Sequence, residues 1–246
     1  IENLNAEGSD LIVVDLQAIG LNGGHSGADI DRKRGNAIVI LLQSLEKLLI
    51  NSKHLGLINF TAGNAVNAIP RYANARIIIK KNESDDIKKI LKEFTKAIIP
   101  QYALSEAEVT HPEGLSLEDA IKVCKLSVEL SEVKKDQINN SYRVVNEKTT
   151  LSKIVSLGLE IPHGPIEMLE NSSVSGVATS NSFSLLNSAL LPIDIHGIDN
   201  KIIFHSFFRT VEDTKLIFMT QKLHAIAKKY PEAIAGEMFN DFPGWT

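Results

Sequence analysis

The segment LIVVDLQAI, from Leu11 to Ile19, is rich in β-branched residues and predicts a β-strand. A glycine-rich turn from Gly20 to Gly27 follows it. Between about Asp31 and Ile50, apolar residues recur every three or four positions, which predicts an amphipathic helix. This strand and this helix open an α+β unit.

The segments that follow complete a β-α-β-β-α-β order. Leu55 to Thr61 and Ala73 to Lys80 predict two further strands. Ser84 is typical of a helix N-cap, and Pro100 is expected to end that helix. Tyr102 to Thr110 is expected to form the last strand. This order is that of a split βαβ, or ferredoxin-like, unit.

The second half repeats the pattern in part. Ser116 with Asp119 resembles a capping box that opens a helix reaching about Glu132. The later elements are predicted from the same periodicities: a helix at Thr150–Leu157, strands at Val174–Leu186 and Lys201–Arg209, a helix from Glu212 and an edge strand at Ala233–Asn240. We therefore predict an α+β fold in which two ferredoxin-like halves share one antiparallel sheet, with helices on one face.

Composition excludes several classes of protein. The 246 residues include 26 Lys and Arg and 30 Asp and Glu, and 43% of them are hydrophobic, as in folded globular domains. A net charge of −4 leaves no broad basic face for nucleic acid. No apolar run approaches the ~18 residues of a membrane span. Cys124 is the only cysteine and has no partner for a disulfide within the chain, which fits a reducing cytoplasm.

Both ends of the sequence are expected to be cut points in a longer polypeptide. The chain begins at Ile1, without Met or a signal region, and stops after a Pro-Gly-Trp turn at Thr246. A processed, complete protein is the alternative.

Familiar catalytic and metal-binding motifs are missing from the sequence. The seven histidines are scattered, and there is no HExxH, GxSxG or P-loop segment. The segment from Asp194 to Asp199, DIHGID, is a candidate metal site, but its residues suit a hairpin turn better.

Three side chains stand out, and each has a structural as well as a functional interpretation. His25 lies among small residues in GGHSG, as an oxyanion donor or as a solvated loop histidine. Asn67 in NAVNAIPR either orients a substrate or satisfies its own turn. Arg209 ends an apolar strand, where it either meets a carboxylate or reaches solvent.

Together these segments resemble those of bacterial aminoacyl-histidine dipeptidases, a carnosinase-like or peptidase D family of zinc metallopeptidases. The similarity covers nearly the whole chain, and GGHSG and NAIPR are its most specific parts. It follows the family's order through Gly20–Gly27, Asn36-Ala37, Asn67–Arg71, Thr179-Ser180, Arg209 and Pro243–Trp245. The part resembled is the lid, or dimerisation, domain, which in that family interrupts the zinc-binding domain.

The resemblance implies a domain organisation and partners. Residues 1–112 would be a first lid subdomain, 113–240 a second, and 241–246 the start of a return linker to a catalytic domain outside this chain. The parent would be a cytoplasmic homodimer that hydrolyses unblocked dipeptides, with zinc held by the catalytic domain. This chain alone would then bind no metal and be inactive.

The resemblance also implies roles for single residues. His25 would stabilise the tetrahedral intermediate, Asn67 would help to hold the substrate, and Arg209 would receive its terminal carboxylate. The run from Thr179 to Ser184 departs from the family's Ser-Leu-Asn-Val-Gly, so no role is assigned within it and an altered substrate preference stays open. The alternatives from the residues are a non-catalytic α+β dimerisation or ligand-binding module and a complete small hydrolase.

Overall fold

The structure is a computed structural model that describes most of the first two thirds of the chain and parts of the rest. The described residues are 2–3, 10–25, 28–29, 32–63, 68–134, 137–138, 143–160, 164–165, 176–177, 182–186, 201–205, 221–222 and 224–230.

The described residues contain both helices and strands. The helices are α1 Ala37–Asn51, α2 Ser84–Ala107, α3 Leu117–Val123 and α4 Lys148–Glu160. The strands are β1 Glu2–Asn3, β2 Leu11–Ile19, β3 Gly24–His25, β4 Gly56–Ala62, β5 Ala68–Ile69, β6 Ala73–Lys80, β7 Ser127–Glu132, β8 Arg143–Val144, β9 Gly164–Pro165, β10 Gly176–Val177, β11 Ser182–Leu186 and β12 Lys201–His205.

Within the described residues, one sheet contains six of these strands in the order β12-β11-β4-β6-β2-β7. Every pair in it is antiparallel. The pairing of β11 with β4 joins the second half of the chain to the first in one sheet. The elements β2, α1, β4, β6 and α2 follow the first five elements of the predicted order, and α3 and then β7 come after them. The predicted α+β class with an antiparallel sheet is therefore confirmed.

The helices pack on one face of the sheet. On that face, α1 and α2 bury their apolar stripes against alternate strand residues such as Leu16, Ala75 and Phe60, and α4 packs against α1. The other face carries a smaller apolar cluster around Val13, Ile58 and Ile78. Burial on both faces explains why β2 and β6 are nearly continuous apolar runs at one end.

The structure corrects the prediction that Pro100 ends the second helix. Pro100 lies inside α2, which continues to Ala107, so the predicted strand from Tyr102 to Thr110 is wrong. An internal proline costs a helix ~3 kcal/mol. Packing of Ala103 and Ala107 against Ala120 of α3 supports the turns beyond it.

A second correction concerns the region after Ser116. The Ser116 side chain caps α3 as predicted, because its Oγ accepts the Asp119 N–H at 3.1 Å. The helix ends at Val123 rather than near Glu132, and Ser127–Glu132 is the strand β7, which pairs with β2. The prediction was wrong because β7 is an edge strand in the described sheet, with polar residues that fit a helical surface equally well.

The later elements agree with the predictions in part. The prediction of one strand over Val174–Leu186 is wrong: Gly176–Val177 is β10, which pairs with β9, and Ser182–Leu186 is β11 of the six-stranded sheet. The helix predicted from Thr150 is α4, which passes the buried Gly158 and reaches Glu160. The hairpin of β11 and β12 and the helical residues 221–222 and 224–229 keep the predicted order. The predicted strand at Ala233–Asn240 lies outside the described residues. The boundary at residue 112 stays a prediction, and the sheet crosses it through β7.

Candidate active site

His25 lies in the loop that joins β2 to α1. The short strand β3 pairs with β5, so that Gly24 lies opposite Ile69 and His25 opposite Ala68. At the start of α1, the Ala37 N–H donates to the Pro70 carbonyl at 2.9 Å. The loop therefore packs along the connection between β4 and β6.

The hydrogen bonds of His25 define how its ring is presented. The His25 side chain is exposed, and its Nδ1 accepts the Ala28 N–H at 3.1 Å. The His25 N–H donates to Asp29 Oδ2 at 2.7 Å, and the Asp29 N–H donates back to the His25 carbonyl at 2.9 Å. With Nδ1 as an acceptor, the neutral ring carries its proton on Nε2. A ring held in this way presents a hydrogen-bond donor.

The glycines before His25 are required by close packing. Gly23 has φ of 65°, and a Cβ built there would lie 2.7 Å from the Ile69 carbonyl oxygen. A Cβ at Gly24 would lie 2.5 Å from Arg34 Nη1. Small residues in GGHSG therefore let the loop approach β5 and Arg34, which is a structural reason for a motif that the sequence analysis also interpreted as functional.

A buried carboxylate and a nearly buried guanidinium hold the loop from below. Glu106 of α2 is 4% exposed and accepts the N–H groups of Asn22 at 2.7 Å and Gly35 at 2.9 Å. Burial raises the pKa of Glu106, and these two donors and Arg34 oppose the rise. Arg34 Nη2 forms an ion pair with Asp29 Oδ1 at 3.0 Å.

Asn67 lies outside the described residues, but the residue that follows it is described. It precedes Ala68, the residue opposite His25 in the β3–β5 pair. The structure thus brings the chain next to Asn67 beside His25.

Arg209 also lies outside the described residues, four positions beyond the end of β12. The strand register nevertheless shows which end of the sheet β12 leaves. His205 pairs with Ser182, and Phe183 pairs with Ala62, which is opposite Ala73. Ala73 in turn pairs with Ala18, at the end of β2 that leads to His25.

The two strand ends are at the same edge of the sheet but not adjacent. Four strand positions separate β2 from β12. At ~4.8 Å per strand, their ends are about 19 Å apart. The loops that follow them must span this distance if His25 and Arg209 act on one molecule.

The part of the chain that carries the His25 loop is similar in sequence to a known family of domains. A family model described as "Peptidase dimerisation domain" matches residues 18–105, from the end of β2 to the last turns of α2. Residues 18–105 are therefore similar to a peptidase dimerisation domain. This match confirms the resemblance to a dimerisation domain that the GGHSG and NAIPR segments suggested.

Two relatives extend the comparison beyond the dimerisation domain. The chain is 27% identical over 233 residues to the cytosol non-specific dipeptidase of Escherichia coli (strain K12), and the alignment covers 92% of this chain and 39% of that protein. The crystal structure of the aminoacylhistidine dipeptidase from Vibrio alginolyticus matches with a TM-score of 0.64 and 21% identity, over 93% of this chain and 39% of that one. The second likeness concerns the fold. The chain thus spans about two fifths of each relative.

The described part of the chain offers neither a cluster of metal ligands nor a membrane span. It contains no group of three or more His, Cys, Asp and Glu side chains that could hold a metal ion. The residues present do not fit a zinc site, and the DIHGID segment lies outside the described residues. Among the described helices, none has both the length and the apolar character that a bilayer span requires.

The sequence pattern around His25 was visible, whereas the residues that hold this loop were not predicted. Asp29, Arg34 and Glu106 were not candidates. Glu106 follows Ala103 by three residues on the buried face of α2. An acidic residue on an apolar helical stripe was therefore the available signal, and it was hidden because this segment was predicted to be a strand.

Proposed function

We propose that this chain is the lid and dimerisation portion of a zinc-dependent dipeptidase of the Xaa-His type that hydrolyses unblocked dipeptides in the cytoplasm. The support is the match to a peptidase dimerisation domain and the names of the two relatives, both of which are dipeptidases. The observation that carries the proposal is the presentation of His25: its Nδ1 accepts a backbone N–H, which leaves Nε2 as the donor.

In this proposal, His25 donates a hydrogen bond from Nε2–H to the oxyanion that forms when the scissile carbonyl is attacked. Such donors act best when their position is fixed before the reaction. Two hydrogen bonds fix the backbone of His25: its N–H donates to the Asp29 side chain, and its carbonyl accepts the Asp29 N–H. An exposed ring on a fixed backbone fits that role.

Asn67 and Arg209 are proposed to bind the substrate. The amide of Asn67 would donate and accept at once, and its chain neighbour Ala68 lies opposite His25. The guanidinium of Arg209 would bind the terminal carboxylate of the dipeptide through two parallel hydrogen bonds. Its support is that β12 ends at the edge of the sheet from which the His25 loop departs.

The proposed partners are a second copy of the chain and a catalytic domain in the same polypeptide. The name of the matched family supports dimerisation. Within the described residues, β7 pairs only with β2, so one of its edges is available for another strand. The proposed zinc has no ligand set among the described residues, and we assign its ligands to the catalytic domain.

The decisive experiment compares two exposed histidines in the full-length gene product. His25→Ala is expected to lower kcat for a dipeptide by about 100-fold, because an oxyanion donor is lost. His54→Ala is the matched control: His54 is exposed and follows the other end of α1. Equal kcat values for both variants and the wild type would overturn the role of His25 and favour a non-catalytic module.

The activity of the chain by itself gives a separate test. We expect the 246 residues, supplied with zinc, to show no turnover of unblocked dipeptides, because nothing described in them activates water. Hydrolysis by this chain alone, at a rate above that of the same buffer with zinc, would contradict the assignment of the metal site to another domain.

A further inference from the structure

A carboxylate that the proposed mechanism does not use lies beneath the His25 loop. Glu106 is on α2 beside the buried Ala103 and Ala107, and only 4% of it is exposed. A buried carboxylate is costly unless hydrogen bonds satisfy both of its oxygens, and an apolar side chain of similar size is often better for stability. Packing alone therefore does not explain a glutamate at this position.

The two carboxylate oxygens of Glu106 bind opposite ends of one loop. Oε2 accepts the N–H of Asn22 at 2.7 Å, and Oε1 accepts the N–H of Gly35 at 2.9 Å. The main-chain carbonyl of Glu106 also accepts Asn22 Nδ2 at 2.7 Å. A single side chain thus joins Asn22 to Gly35, which reduces the conformations open to the backbone of His25 between them.

Further hydrogen bonds lead from these two ends to His25. Arg34, which precedes Gly35, donates from Nη1 to the Gly23 carbonyl at 2.7 Å. Its Nη2 pairs with Asp29 Oδ1 at 3.0 Å, and Asp29 Oδ2 accepts the His25 N–H at 2.7 Å. A displacement of either end of the loop would therefore move the backbone of His25.

We propose that Glu106 is a positioning residue that holds His25 in its reactive place by accepting the N–H groups of Asn22 and Gly35. The inference rests on the proposed function of His25. Only the ionised carboxylate accepts at both oxygens, whereas an amide would turn a donor towards one of the two N–H groups. A misplacement of ~1 Å at a reacting group costs as much as 100-fold in rate, so a remote anchor affects catalysis.

The test uses three variants of the full-length gene product. Glu106→Gln keeps the shape and loses one acceptor, and Glu106→Met is an apolar side chain that fits a buried helix face. Glu93→Gln is the matched control, on an exposed position of α2. Amide hydrogen exchange of Asn22 and Gly35, kcat, KM and the urea midpoint are measured for each.

In Glu106→Gln, we expect the amide hydrogens of Asn22 and Gly35 to exchange about tenfold faster, since a hydrogen bond to a charged group is lost. We expect kcat to fall about tenfold and KM to stay within about twofold, because the anchor acts on the transition state through His25. Glu93→Gln is expected to match the wild type in all four quantities.

Glu106→Met separates positioning from stability. We expect its urea midpoint to stay close to that of the wild type, because removal of a buried charge offsets the two N–H groups left unpaired, while exchange is fast and kcat is low. If kcat instead follows the urea midpoint across the variants, or if both amides stay protected, Glu106 has a structural role only and the inference is overturned.

The exchange measurement also keeps the two proposals apart. Protected amides and full kcat in Glu106→Gln would overturn the inference and leave the dipeptidase proposal intact. Fast exchange in a gene product that hydrolyses no dipeptide would support the anchoring of the loop and overturn the catalytic role of His25.

Discussion

Two networks at opposite ends of α1 each combine a histidine with a glutamate. Before the helix, Glu106 is buried under the His25 loop and binds backbone N–H groups. After the helix, Glu83 lies near the surface, where it accepts Ser52 Oγ–H at 2.8 Å and faces His54 Nδ1 at 3.5 Å. The first network fixes a main-chain conformation, and the second joins side chains.

Burial decides how the two carboxylates differ. It raises the pKa of Glu106, and the donors from Asn22 and Gly35 only reduce the rise. Burial also acts to raise the pKa of Glu83, but hydrogen bonds from Ser52 and His54 and the nearby positive charges outweigh it, so that this pKa is lowered. A buried carboxylate under a loop is therefore held at a cost in stability, whereas the surface carboxylate is not.

The largest expected effect is that of a methyl group added inside the first network. Gly23→Ala places a Cβ 2.7 Å from the Ile69 carbonyl oxygen at φ of 65°. We expect it to lower the free energy of unfolding by about 3 kcal/mol, from backbone strain and overpacking together. Urea unfolding of the full-length gene product measures it.

Gly114→Ala is the control for that change, because Gly114 has φ of 86° and a Cβ there would meet nothing within 4 Å. We expect a loss of about 1 kcal/mol, from strain alone. Equal losses in the two variants would show that the loop does not pack tightly against β5.

An effect of intermediate size is expected in how the free energy of unfolding depends on pH, through the carboxyl group of Glu106. Between pH 4.5 and its raised pKa, the folded carboxyl binds more protons than the unfolded one, so the free energy of unfolding falls as pH rises. The decrease is about 1.4 kcal/mol for each pH unit over which the pKa is raised. Arg34 is the charged group that acts on the pKa of Glu106, and it opposes the rise.

Glu106→Gln does not titrate, so urea unfolding from pH 4 to 7 should lose this decrease while all other carboxyl groups keep theirs. Parallel pH profiles for the variant and the wild type would mean that Glu106 is ionised with an ordinary pKa, and would remove the contrast with Glu83.

The smallest effect is expected in the second network. Glu83→Gln removes a charge that pairs with His54, an exposed side chain. Such surface pairs contribute ~0.5 kcal/mol or less, so the free energy of unfolding at pH 7 should change by no more than that. A loss above about 1 kcal/mol would show that this network also supports the fold.

Strands could be predicted from the sequence where the residue types favour a strand clearly over a helix. Leu11–Ile19 and Ala73–Lys80 were predicted with the bounds that the structure shows, because runs of β-branched residues between turns favour strands strongly. The edge strand Ser127–Glu132 was missed because only Val128 in it is buried. Its pairing with β2 is a tertiary contact that no local pattern contains.

Only those parts of the candidate site that are close to His25 along the chain could be predicted from the sequence. Gly23 and Gly24, the glycines before His25, are visible in the sequence, and both are tightly packed. Glu106 is far along the chain from Asn22, and it reaches the loop only because α2 continues past Pro100. A local rule that ends a helix at proline therefore concealed the residue on which the loop depends.

The number of strands from β2 to β12 also sets the distance between the ends of these two strands. Strands are added or removed whole, so the gap between the two loops at this edge can be altered only in steps of about 4.8 Å. Finer adjustment to the size of a bound molecule must come from the lengths of the side chains that reach into the gap.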